Sequence, residues 1–153
     1  MATEATMQTV ESTSNDDWQA GVLAGIIGGI VMGAMMVMQM RPALEVVIPS
    51  MYFFSGGLAG FTIHVAHGAI LGVVFAAVAA TRNLSTGQSF GLGVAYGVAL
   101  WAVLAVFVMP VWLSVVGSPA NPPLPNVNTT SLVGHVVYGG VVGVAYSAVR
   151  GRF

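Results

Sequence analysis

Apolar and polar residues in this chain fall into blocks rather than alternating. Four uncharged apolar runs, residues 20–40, 61–80, 90–109 and 131–149, are separated and flanked by stretches that hold every charged residue. An α-helix needs about 20 such residues to cross a bilayer core of roughly 30 Å. The runs are continuously apolar and twice the length of a barrel strand, which favours helices. The expected fold is all-α: an integral membrane protein with four transmembrane helices. Pro110 interrupts the third run, and an apolar continuation reaches Val116.

Composition agrees with the pattern. Of 153 residues, 56% are hydrophobic and 6% charged, and the mean hydropathy is +0.87. Soluble domains carry about a quarter charged residues. The four basic residues are all Arg, too few for electrostatic binding of nucleic acid. With no Cys there is no disulfide, thiolate metal site or cysteine nucleophile. Residues 1–17 are polar and acidic, with no basic residue before Arg41. They lack the positive n-region of a secretory signal. The first helix is therefore expected to be retained, and the tail to be disordered.

Four spans put both termini on one side, together with the loop of residues 81–89. That side collects Arg82, Arg150 and Arg152 against Arg41 on the other. Lys/Arg bias sets orientation, so both termini are expected in the cytoplasm, with the chain in the cell membrane. The longer loops, residues 41–60 and 110–130, then face outward and are apolar enough to lie at the interface or fold back over the bundle. Asn128-Thr129-Thr130 is a glycosylation sequon there. Trp18, Tyr52, Trp112 and Phe153 fall near span boundaries, as headgroup anchors do. Arg41 and Glu45 could pair if the first helix continues past Pro42.

The chain repeats internally. Ile63–Val78 and Gly134–Val149 match at a constant offset of 71, with seven identities in sixteen. His64 falls on His135, Gly68 on Gly139, Gly72 on Gly143, and Phe75 on Tyr146. The first and third helices match more weakly, through Gly21 and Gly91. A duplicated helical hairpin accounts for this, with both copies entering the membrane in one direction and a pseudo-two-fold axis along its normal.

Small residues at i, i+4 let helices approach closely in lipid. Gly21, Gly25, Gly29 and Gly33 form such a stripe on the first helix. Gly68 with Gly72, and Gly139 with Gly143, form stripes on the second and fourth. Packing within the chain or against a second copy are both open, and a homodimer is a candidate assembly.

The chemistry-bearing residues are few. His64 and His135 sit at matched depth, with His67 one turn below His64. Intramembrane ionisable residues suggest function by default, though a neutral imidazole can simply tie two helices together. Ligation is the alternative. A haem b needs one His from each of two helices and small residues beside them, a pattern that His64 with Gly68 and His135 with Gly139 provide. Copper is the other option: His64, His67, His135 and Met109, with Met32, Met35, Met36, Met38 and Met40 crowding the end of the first helix, suit Cu(I). Methionine is also an ordinary gap-filler, and these five side chains are expected to point in several directions. After the tail Glu45 is the sole acidic residue, so no carboxylate pair serves acid–base work. No nucleophile elbow, zinc-binding helix motif or phosphate loop is present. An enzyme is not expected. A small-solute channel or transporter is a third reading with less support, since no polar residues line a continuous path through the inner leaflet.

The two His-x-x-x-Gly-x-x-x-Gly helices, at His64–Gly72 and His135–Gly143, together with Met109-Pro110 at the end of the third span, resemble a small prokaryotic four-helix membrane family. That family is known only as a domain of unknown function (6789-like). The likeness covers residues 19–149 and implies a duplicated hairpin with paired His and no established activity. Together these readings suggest a non-enzymatic multi-pass protein, an accessory or assembly component of a membrane complex of respiratory type. A haem b or copper carrier is the alternative.

Overall fold

The computed structural model describes residues 17–153. The tail expected to be disordered over residues 1–17 lies outside them, Asp17 apart. Among the described residues there is no strand. Four helices are long and apolar enough to cross a membrane: α1 (Asp17–Gln39), α2 (Gly57–Ala79), α3 (Thr86–Val115) and α4 (Thr129–Val149). α2, α3 and α4 begin a few residues before the apolar runs do, α2 after Gly56 and the other two at polar caps. Ser85 Oγ accepts from the Gln88 amide at 3.3 Å while Gln88 Oε1 accepts from the Ser85 amide at 3.0 Å, a reciprocal capping box. Asn128 Oδ1 accepts from the Ser131 amide at 2.9 Å and so starts α4. The sequon asparagine is thus a helix cap.

Two prolines shape the far end of the bundle, called the loop end below. Proline has no N–H and its ring crowds the carbonyl four residues back. At Pro110 the chain answers by widening into a π-helix over Trp101–Val108, which lets α3 run on to Val115. The Val106 carbonyl freed by Pro110 accepts from the Asn126 amide at 3.0 Å, and Asn126 Nδ2 donates to the Ala105 carbonyl at 3.3 Å. The loop before α4 is thereby laid against α3. At Pro42 the response is sharper. α1 ends at Gln39, and a π-helical turn (Ala43–Val47) and one α-turn (Ile48–Ser50) follow. Arg41 Nη2 meets Glu45 Oε1 at 3.2 Å, a pair worth at most about 1 kcal/mol at such an exposed place. Leu44 presses its carbonyl onto Gly60, leaving no space for a Cβ there.

α1 runs along α2, α3 along α4, and α1 along α4; α2 and α3 approach at few positions. The first two contacts are backbone to backbone. A Cβ on Gly21 would lie 2.6 Å from the Gly72 carbonyl oxygen, and one on Gly25 would strike the Gly68 carbonyl. On the other pair, Gly93 meets the Gly139 carbonyl and Gly97 the His135 carbonyl, while Gly143 meets that of Ser89. Gly29 lies against Val65, and Gly33 against the Phe61 ring and His64. The α1 stripe is therefore filled from within the chain.

The difference between the α1–α4 and α2–α3 approaches comes from one position. Gly28 lets Tyr138 and Val142 of α4 close on α1; a Cβ there would be 2.8 Å from Val142 Cγ2 and 3.0 Å from Tyr138 Cδ2. Sixty-eight residues on stands Tyr96, whose ring holds α3 away from α2 and whose hydroxyl donates to the Leu71 carbonyl at 2.7 Å. The interior between the four helices is closed by Phe75, Tyr96, Tyr138, Val142 and Tyr146.

Candidate functional site: the histidine level and the loop end

α2 and α4 begin earlier than hydropathy suggests, which sets His64 and His135 further along their helices than the apolar runs imply. They are seven and six residues past the helix starts, about 10 Å and 9 Å along the axis. His135 Nδ1 lies 2.8 Å from the Ser131 carbonyl. A carbonyl only accepts, so Nδ1 carries the proton and Nε2 presents a lone pair. On α2, His64 packs beside Gly33, whose Cβ would be 3.4 Å from His64 Cδ2. His64 Nε2 is buried without a hydrogen-bond partner, as is Trp101 Nε1. Buried polar atoms of this kind are uncommon and call for an occupant or a function. Trp101 opens the π-helical stretch, a deformation that recurs at functional sites.

The residues singled out for ligation are only partly brought together. His67 turns to the first loop, where its Nε2 is hydrogen-bonded to the Tyr52 hydroxyl at 2.7 Å and the rings lie 5.6 Å apart. It therefore leaves the set of His64, His67, His135 and Met109. Among the described residues no group of three or more His, Cys, Asp or Glu is placed to hold a metal ion. Haem b does not fit either. Gly68 and Gly139, expected to admit the flat ring, are filled by the backbones of Gly25 and Gly29 and of Gly93 and Gly97. The Tyr138 hydroxyl also donates across to the Gly68 carbonyl at 2.7 Å.

The methionines group differently from expectation. Met32, Met35, Met36 and Met40 line one small niche with Gln39, Thr130 and Gly134. Met38 alone points away, 82% exposed. Beyond them the loop end carries an aromatic crown. Phe53 is 81% and Phe54 62% exposed, and Phe53 holds a φ of 63°, a left-handed conformation costly for a bulky residue. Trp112 Nε1 donates to the Met51 carbonyl at 3.1 Å, which ties α3 to the first loop. Tyr52 and Trp112 thus make specific contacts in addition to any anchoring.

Two contacts that the sequence reading missed join the halves of the chain. Ser50 and Ser118 are hydrogen-bonded, Oγ to Oγ, at 2.8 Å. Ser50 Oγ donates to the Val47 carbonyl at 2.8 Å, so the Ser118 hydroxyl is the donor between them. At the opposite end Phe75 and Tyr146 meet edge to face, with centroids 5.6 Å apart. The Tyr146 hydroxyl donates to Asp17 Oδ1 at 3.0 Å. That end also gathers Arg82, Arg150 and Arg152; Arg82 donates to the Val78 carbonyl at 2.8 Å, and Arg150 Nη2 donates to the Leu84 carbonyl at 2.9 Å.

No protein-family model, curated protein or solved structure matches the chain.

Proposed function

We propose that this chain is a multi-pass membrane protein built from two tandem helical hairpins, acting as a non-enzymatic accessory or assembly component of a larger membrane complex. The observation that carries the packing role over a cofactor role is the filling of Gly68 and Gly139 by neighbouring backbone. The space that a large cofactor would need is spent on helix contact. Membrane residence is supported by the apolar residues turned outward around the bundle, Leu58, Ile70, Val103, Phe107 and Val133 among them.

The duplication draws support from a register different from the Gly21–Gly91 match. A Cβ on Gly91 meets nothing. An offset of 68 instead relates Gly25 to Gly93, Gly29 to Gly97, Pro42 to Pro110 and Ser50 to Ser118, and these glycines make the same kind of contact in each hairpin. Residues related by duplication can touch each other only near the axis that relates them. Ser50–Ser118 and Phe75–Tyr146 are such pairs at the two ends of the bundle. The arginine-rich end is then cytoplasmic by charge bias. Single cysteines placed at Ser55 and Asn83 in this cysteine-free chain test that. An impermeant maleimide on intact cells is expected to label the Ser55→Cys chain and not the Asn83→Cys chain. The reverse pattern would overturn the orientation, and equal labelling would overturn the spans.

The assembly role is tested by native electrophoresis after mild detergent extraction, alongside an optical spectrum of the purified chain. The expected result is a species well above the mass of one chain that falls to the free chain in harsh detergent, with no Soret band. A free chain under mild conditions, or a Soret band lost in His64→Ala/His135→Ala, overturns the reading.

A further inference from the structure

We propose that the loop end of α1 holds a thioether site for a soft monovalent metal ion, with Cu(I) the ion it suits. The four sulfur side chains, Met32, Met35, Met36 and Met40, come from successive turns of one helix and line a half-open niche of about 10 Å³, room for roughly one atom-sized occupant. Helical geometry explains why they share one face. At about 100° per residue the four fall within an arc of about 140°, and Met38 falls outside it. The Met40 amide still donates to the Met36 carbonyl at 2.8 Å, which keeps Met40 in the helical register. Met32 and Met36 are each 6% exposed. Gly134 makes the room on α4, since a Cβ there would lie 3.1 Å from Met32 Cε and 3.8 Å from its sulfur.

Neutral thioethers are poor ligands for hard cations and good ones for Cu(I). A single positive charge is also the least costly to bring into an apolar wall. The carbonyl end of α1, which closes at Gln39, adds the negative end of the helix dipole beside the niche. Gln39 and Thr130, both exposed, stand at the mouth and give the ion a polar way in. His64 and His135 line no part of this niche, so the site is separate from the imidazoles and does not depend on the assembly role.

The test is titration of the detergent-solubilised full chain with Cu(I), under reducing and oxygen-free conditions, in competition with a chromophoric Cu(I) chelator. Wild type, Met38→Leu and His64→Gln/His135→Gln are expected to take one ion per chain. Met32→Leu/Met36→Leu, which nearly conserves volume, is expected to bind at least about tenfold more weakly at an unchanged melting temperature. X-ray absorption of the loaded wild type should show a sulfur-dominated shell. If the double variant does not fold, Met35→Leu/Met40→Leu at the less buried rim must show the same weakening. Wild type that yields all its copper to the chelator overturns the site. So does equal binding by the methionine variants, or binding that is lost with the histidines instead.

Discussion

Valine in place of Gly93 is expected to destabilise the bundle strongly, whereas valine in place of Gly91, two residues earlier on the same helix, leaves it intact. Both glycines lie in the first half of α3, and hydropathy treats the two substitutions alike. Their surroundings differ. A Cβ on Gly93 would strike the Gly139 carbonyl and lie 3.2 Å from Gly143 Cα. These are backbone atoms that can yield only if α3 and α4 separate along their length. A Cβ on Gly91 meets nothing. Overpacking of a tight contact costs about 3 kcal/mol, a large part of the stability of a small domain. The Gly91 change should instead gain slightly, since glycine costs a helix about 1 kcal/mol relative to better helix formers. Thermal unfolding in detergent, with recovery of monodisperse protein by gel filtration, distinguishes them. Equal melting temperatures for the two variants would show that α3 and α4 do not meet along the Gly93–Gly139 line.

The same pair of glycines shows what the sequence reveals and what it hides. The existence of four helices is legible because a long uncharged run has few other uses. Their starts are less so. Ser85, Gln88 and Asn128 are polar, and hydropathy stops short of them, yet their side chains satisfy the first free amides of α3 and α4. The register of the proposed repeat is harder still. In a chain with 20 glycines a Gly–Gly match carries little information, so Gly21 aligns as readily with Gly91 as with Ser89. Pro42 and Pro110, rarer and at the same offset of 68, hold the stronger signal. The matched histidines are visible in sequence, but their surroundings are not. Nothing local says that His67 turns to Tyr52, or that Gly68 is filled by α1 rather than left for a ligand. The methionine niche is different, since the angular arithmetic that gathers four of the five side chains needs only the helix.

Truncating Phe75 and Tyr146, separately and together, should show that the two halves of the chain are energetically coupled at the end of the bundle remote from the loops. Phe75 is fully buried and Tyr146 is 1% exposed. They meet edge to face, and Tyr96 stacks obliquely on Phe75 at 5.5 Å. Phe75→Ala removes a ring from a place that cannot collapse, because the backbones of α1 and α2 are already in contact at Gly21 and Gly72. The expected loss is about 3–5 kcal/mol. Tyr146→Ala loses a ring and also the bond to Asp17. Tyr146→Phe isolates that bond and should cost about 1–2 kcal/mol. The double alanine variant should lose less than the sum of the single ones, by about 0.5–1.5 kcal/mol, since each ring is part of the other's wall. The coupling matters more than either loss. A duplicated hairpin brings residues 71 apart into mutual contact only where its axis passes, so coupling between Phe75 and Tyr146 is a thermodynamic signature of the axis. Strict additivity, measured as melting in a single detergent, would mean that the two rings sit in separate surroundings, and the two-hairpin reading would lose its support at that end.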